Sequence, residues 1–436
     1  MITFEKSNRI KSLSSSVFTQ VTLAKQKVLA HGGRVIDLSV GSPDLTPAPH
    51  VIEAMERALR DPGNYGYPLV PLPELKEALA AWYQGRFGVH LDPRDEVLVL
   101  MGTQDGLAHI TLGLANPGEA VLVPDPGYPI YHAGPVLADA QLAYMPLLES
   151  NGFLPDLEAI PPEVARRAKL MIINYPSNPL SAVAGRDFFE GVVDFATNYN
   201  IPVAHDVTYS ELAFDGYRPM SFLEVPGARE VGIEFYSVSK TYNLAGIRLG
   251  FAVGNRKILA ALAEVKSHVD FGVFRPLQYG ALAAGALGFA VGNRKILAAL
   301  AEVKSHVDFG VFRPLQYGAL AALRGPQDQV EETRRSYQRR RDLVIAGLER
   351  LAWRIPRPKA TMFIWARVPL PMNSTDFAIR LLEETGVAVV PGVGFGPSGE
   401  GYVRIALVQK EDLLEEAIER MARSSMLQAL PAGMKA

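Results

Sequence analysis

The sequence predicts an α/β protein: a large domain built on a mostly parallel central sheet, joined to a smaller α+β domain. Two patterns lead to this reading. From about residue 50 to 250, short β-rich apolar runs alternate with helical patterns, as successive βαβ units do. After about residue 331 the pattern changes to a long charged helix, then strands with helices between them. Composition adds a third observation: 436 residues, 48% hydrophobic and 21% charged, supply a large core and exclude disordered and collagen-like chains.

The elements follow in order. Residues 17–30 carry a helical pattern that Gly32 and Gly33 end as a C-cap, and the helix is expected to pack near the smaller domain. Strands are expected at 96–101, 120–124, 169–174, 201–205, 234–237 and 249–253, because their nearly continuous apolar character suits strands covered on both faces. The charged helix covers 331–351, and strands 362–368, 387–390 and 402–408 follow. The expected division is a large domain over 49–330, with residues 1–48 and 331–436 forming the smaller one.

Self-comparison finds one repeat: residues 249–284 recur letter for letter as 287–322, an offset of 38. Two identical copies point to a recent tandem duplication or a sequence error rather than a solenoid, which needs about three diverged units. The second copy contains no counterpart of the chemical residues discussed below, since Lys240 maps to Gln278 and Arg248 to Ala286. Because Leu249 follows Arg248 directly, the first copy is expected to supply the native strand, while Leu323 continues from the second copy. The surplus residues predict an extra helical excursion near 255–310.

Charge and cysteine content exclude several functions. With 44 basic and 46 acidic residues the net charge is −2, so no global positive field attracts nucleic acid or an anionic membrane. The absence of cysteine excludes disulfides, thiolate nucleophiles and Cys-ligated metal sites, and fits a reducing cytoplasm. Residues 279–292, a run of 14 without a charged or amide side chain, fall short of the roughly 20 that a membrane helix needs. No secretory signal is read at the N-terminus, so Asn373-Ser374-Thr375 reads as a chance sequon. The histidines fall in no metal-ligand spacing, and metal binding is not expected. Arg334, Arg335, Arg339, Arg340 and Arg341 form a basic cluster that Glu331 and Glu332 precede at pairing distances, predicting a solvated helix face.

Three expected strands end in polar groups: Asn174 and Asn178 after the first, Asp206 after the second, Lys240 after the third. Ligands of open α/β sheets bind beyond the carboxyl ends of strands, so these groups are expected to converge in one crevice. Upstream, a strand runs into Gly102-Thr103-Gln104 and then a helix, whose free N–H groups make an anion site. Arg248, eight residues after Lys240, supplies a matching cation, and Ser237 and Ser239 supply hydroxyls. A lysine amine, a carboxylate and a phosphate cradle together are what pyridoxal phosphate requires: the amine bonds the cofactor and the carboxylate keeps its ring nitrogen protonated.

At these residues the chain resembles the class I/II pyridoxal-phosphate aminotransferases of fold type I, most specifically over Ser237-Val-Ser-Lys-Thr-Tyr-Asn-Leu-Ala-Gly-Ile-Arg248. The likeness covers nearly the whole chain apart from the extra 38 residues. It implies that Lys240 is the Schiff-base lysine, Asp206 the partner of the pyridine nitrogen, and Tyr209 and Asn178 the donors to the phenolic oxygen. By the same resemblance Gly102, Thr103, Gln104, Ser237, Ser239 and Arg248 form the phosphate cup, and Tyr128 in Asp125-Pro-Gly-Tyr-Pro stacks on the ring. Arg404 sits where an arginine clamps the substrate α-carboxylate, Gly41 matches a backbone contact to that group, and Tyr67 resembles a tyrosine lent across a homodimer. The chain departs from the family pattern at Asn178-Pro-Leu-Ser181, where Asn-Pro-Thr-Gly is usual.

Residues 359–366 and 391–401 look most like the LL-diaminopimelate aminotransferase branch, which implies ping-pong transfer from an amino acid to a 2-oxo acid such as 2-oxoglutarate. Aspartate- or alanine-type aminotransferases, and a C–S lyase on the same fold, share the cofactor residues. A catalytically impaired relative is the reading that the duplication adds. Two competing motifs fail on context. Gly394-Phe-Gly-Pro-Ser-Gly399 spells a dinucleotide fingerprint but precedes a strand, and Ser237-Val-Ser-Lys240 spells S-x-x-K but lacks a K-T-G partner.

Overall fold

The structure is a computed structural model and describes residues 8–13, 16–65, 70–269 and 314–428. Its strands in chain order are β1 (Ile36–Asp37), β2 (Val97–Leu100), β3 (Ala120–Asp125), β4 (Gln141–Pro146), β5 (Ala168–Asn174), β6 (Val203–Asp206), β7 (Gly232–Ser237), β8 (Gly250–Gly254), β9 (Phe363–Arg367), β10 (Val387–Ala388), β11 (Val390–Pro391) and β12 (Tyr402–Ala406). The helices that matter for the site are α1 (Ser16–Ala30), α2 (Thr103–Leu114), α3 (Arg256–Val269), α4 (Pro314–Arg324), α5 (Asp328–Arg350) and α6 (Ser374–Thr385).

A seven-stranded sheet in the order β2-β8-β7-β6-β5-β3-β4 forms the centre. All its pairings are parallel except those of β8, which runs antiparallel to β2 and β7. Strands β2, β3, β6, β7 and β8 are buried at every position, which accounts for their unbroken apolar runs. Strand β4 escapes that pattern: it lies at the sheet edge and only Met145 in it is buried, so it carries no continuous apolar signal. One hydrophobic core spans Ala48 to Ala322 around this sheet.

A second core joins Ile36 and Leu38 to residues between Tyr337 and Leu427, with Tyr209, Leu212 and Phe214 reaching in from the larger unit. Here β9, β12 and β11 form an antiparallel sheet, and β1 pairs in parallel with β10. Helix α1 packs on α6, and Gly32, with φ +76°, turns the chain after it.

The basic cluster on α5 departs from the expected solvated face. Arg334, Arg335 and Arg339 do pair with Glu331 and Glu332. Arg340 and Arg341 are buried instead: Arg340 grips Asp44 at 2.7 and 2.9 Å, and Arg341 grips Asp215 at 2.6 and 3.0 Å. Those carboxylates lie more than a hundred residues away, beyond any i, i+4 rule. Arg340 ties α5 to the segment after β1, and Arg341 ties it to the segment after Phe214.

The first repeat copy supplies β8 and α3, and the second supplies most of α4. The excursion expected near 255–310 falls largely outside the described residues; its described part, α3, packs against α2.

Candidate active site

Strands β5, β6 and β7 end side by side, with Asn174 in register with Asp206, and the chain leaving β7 turns once through Val238–Thr241 to present Lys240. A cavity of about 280 Å³ opens beyond these ends. It is lined by Gly41, Thr103, Gln104, Tyr128, Asn178, Asp206, Tyr209, Ser237, Ser239, Lys240, Arg248 and Arg404, among others. Of the expected site residues, Gly102 adjoins this lining through Arg248, and Tyr67 lies outside the described residues.

The Lys240 amine donates to the carbonyl oxygen of Gly41 at 2.6 Å. Burial pulls its pKa down to about 8, with the guanidinium groups of Arg404 and Arg248 acting in the same direction and Asp206 opposing them. Asp206 is itself buried, and burial pushes its carboxyl above the ordinary value. One oxygen accepts from the Thr208 N–H at 3.0 Å and the other from the Tyr131 hydroxyl at 2.8 Å. Tyr131 follows Tyr128 by three residues, but nothing local in the sequence ties its hydroxyl to Asp206, 75 residues on. Asn174 braces the backbone by donating to the Asp206 carbonyl at 2.8 Å and accepting from the Asn178 N–H at 2.7 Å.

Asn178 then links two groups: its side-chain oxygen accepts from Arg404 at 3.0 Å, and its amide nitrogen lies 3.5 Å from the Tyr209 hydroxyl. Arg404 also donates to the Ser39 carbonyl at 2.8 Å, and its guanidinium sits 4.2 and 4.8 Å from the ring centroids of Phe363 and Phe395. This arginine has no carboxylate partner among the described residues, and burial lowers its pKa to about 10. Gly41 tolerates no side chain, since a Cβ there would come within 2.6 Å of the Phe363 ring.

At the other end of the cavity, Gly102 precedes α2 with φ +85°, and a Cβ on it would lie 2.7 Å from the Arg248 guanidinium. A Cβ on Gly250 would meet the Thr103 nitrogen at 2.3 Å, so bare backbone packs under the start of α2. Tyr128 donates to Gln104 at 2.9 Å beside this turn.

Residues 33–285 and 280–421 match the family described as aminotransferase class I and II. The chain belongs to that family. This aminotransferase is 47% identical over 421 residues, 96% of its length and 98% of the other's, to an LL-diaminopimelate aminotransferase of Desulforudis audaxviator. It is 44% identical to one from Syntrophobacter fumaroxidans, covering 97% and 99%. Among solved structures, substrate-bound BacF of Bacillus subtilis superposes with a TM-score of 0.84 at 38% identity, covering 99% of each chain. A probable N-succinyldiaminopimelate aminotransferase of Thermus thermophilus gives 0.79 at 37% identity, covering 94% and 100%.

The enzyme is a transaminase dependent on pyridoxal phosphate. Its cavity fits that group. The Nε of Arg404 and the hydroxyl of Thr208 are buried at the cavity without partners among the described residues, so polar capacity is left over. The donor set runs from an amine of lowered pKa and a buried carboxylate at one end to a glycine-led helix start with a cation at the other. Lys240, Asp206 and the Gly102–Gln104 turn with Arg248 could hold the carbonyl carbon, ring nitrogen and phosphate respectively. Among the described residues no cluster of metal-ligating side chains occurs, and no helix is long and apolar enough to cross a membrane.

Proposed function

We propose that the chain is a cytoplasmic homodimer that takes the amino group of LL-diaminopimelate and passes it to 2-oxoglutarate by a ping-pong reaction. The carrying observation is the Lys240 amine, depressed to about 8 and lodged in the cavity that also contains Asp206 and the carboxylate-free Arg404. The side-chain preference rests on the likeness to relatives named LL-diaminopimelate aminotransferases at 47% and 44% identity. We assign residues 49–330 to the large domain, and 1–48 with 331–436 to the small one.

When bound, the cofactor withdraws electrons from the substrate Cα and carries nitrogen between the two half-reactions. Arg404 binds the substrate α-carboxylate bidentately, with Asn178 fixing the guanidinium plane and Gly41 contributing backbone. The Lys240 amine would hold the cofactor and, once a donor amine takes its place, would be the base that removes the proton from the substrate Cα, a task suited to its lowered pKa. Asp206, held by Tyr131 and Thr208, would hold the ring nitrogen and keep it protonated. Tyr209 and Asn178 would hold the phenolic oxygen, and Tyr128 would pack against the ring. Gly102, Thr103, Gln104, Ser237, Ser239 and Arg248 would take the phosphate, with Tyr67 lent by the partner subunit.

The test is a donor panel with 2-oxoglutarate as acceptor, read as glutamate formed. LL-diaminopimelate is expected to give the highest kcat/KM. Faster turnover of aspartate or alanine, or a product with a cleaved carbon skeleton, overturns the substrate assignment.

A further inference from the structure

Behind the start of α2 lies a buried charge cluster that the proposed reaction does not use. Asp105, the third residue of α2, is 8% exposed at its side chain, and Lys266 on α3 is fully buried against it. The carboxylate oxygen that meets the Lys266 ammonium also accepts from the Met101 N–H at 2.9 Å, just before Gly102. The other oxygen accepts from His109 Nδ1 at 2.9 Å. The two helices pack backbone to backbone here, since a Cβ on Gly113 would come within 2.5 Å of the Ala261 carbonyl oxygen.

The placement poses an electrostatic problem. Thr103 and Gln104 line the cavity at the end read above as the phosphate cup, and a carboxylate in the next position repels any dianion bound there. In low dielectric that repulsion is weakly screened. A buried ammonium in contact with the carboxylate cancels it, while the carboxylate keeps its hydrogen bond to the loop that turns into Gly102. We propose that Lys266 and Asp105 are positioning residues for the phosphate end of the cofactor: Asp105 fixes the Met101–Gly102 turn, and Lys266 neutralises Asp105 so that the cup accepts a dianion. The inference rests on reading the Gly102–Gln104 turn as the phosphate site. It also ties the duplication to the site, because Lys266 belongs to the first copy and its counterpart in the second is Lys304.

The experiment compares affinities of the cofactor-free protein for pyridoxal phosphate and for pyridoxal, followed by absorbance. Lys266→Met is expected to weaken pyridoxal phosphate binding at least about tenfold, the size of one lost charged interaction, with pyridoxal changed less than about twofold. Lys304→Met is expected to change neither. The double variant Asp105→Asn with Lys266→Met removes both charges and keeps an acceptor for the Met101 N–H, so it is expected to recover affinity to within about threefold. It also carries the test if the single variant does not fold, since leaving one charge buried is the costlier change. Equal weakening toward both ligands, a loss caused by Lys304→Met, or a double variant as weak as the single or itself tenfold weaker than the parent overturns the proposal. If the unaltered protein binds pyridoxal as tightly as pyridoxal phosphate, the phosphate-site reading itself fails, an outcome distinct from those.

Discussion

Replacing Arg404 by lysine keeps a positive charge but removes the planar fork, and the structure sets how much that matters. The guanidinium is buried between the rings of Phe363 and Phe395 and is oriented by Asn178 at 3.0 Å and the Ser39 carbonyl at 2.8 Å. A lysine ammonium reaches one carboxylate oxygen at a time and inherits neither the stacking nor both neutral acceptors. Losing one of two charged hydrogen bonds to the substrate costs about 1.5–3 kcal/mol, so kcat/KM for the amino donor is expected to fall about 10- to 100-fold. Stopped-flow measurement of the first half-reaction, with cofactor absorbance as the signal, isolates this step. The affinity for pyridoxal phosphate is expected to stay within about twofold. A second-order rate constant for that half-reaction within about threefold of the parent's would refute the assignment of Arg404 to the substrate carboxylate.

Two further predictions concern stability and the duplication. Lys240 has a folded pKa of about 8 against 10.5 for the free side chain, so the unfolded chain binds more protons between those values and stability rises with pH across that window. Below about pH 8 the buried ammonium carries a penalty of about 3 kcal/mol, partly offset by its bond to Gly41. Cofactor-free Lys240→Met is therefore expected to melt higher than the parent at pH 7, with the advantage fading toward pH 10; a constant difference across that range contradicts the depressed pKa. Deleting residues 270–307 rejoins the first copy's β8 and α3 to the second copy's α4 as one unbroken unit. Cofactor content and kcat are expected within about twofold of the parent, and an insoluble or inactive product would show that the extra residues are required.

Much of the site was legible because its signals are local. Lys240, Asp206 and Asn174 stand at the ends of compact apolar strands, and Gly102 stands where a strand meets a helix, so strand ends and a glycine were enough to gather them. What escaped depends on distant partners. The Tyr131 hydroxyl finds Asp206 75 residues on, and the buried His205–Glu234 pair is completed by Ser221 and Tyr83 from two other stretches of chain. Arg340 and Arg341 read as solvated because their i, i+4 neighbours suggested it, and only tertiary structure brings Asp44 and Asp215 to them. Strand β1 is two residues long and includes Asp37, so neither length nor apolar content marked it. Lys266 lies within the repeated stretch, and only the packing of α3 on α2 brings Asp105 to it.

Covalent attachment of the cofactor at Lys240 underlies the whole reaction scheme, and borohydride reduction of the loaded protein followed by peptide mapping tests it most directly. The expected result is a single modified peptide carrying the pyridoxyl group on Lys240, absent when donor amino acid is added before the reductant. A loaded protein whose Lys240 peptide stays unmodified, or whose label falls on another lysine, contradicts it.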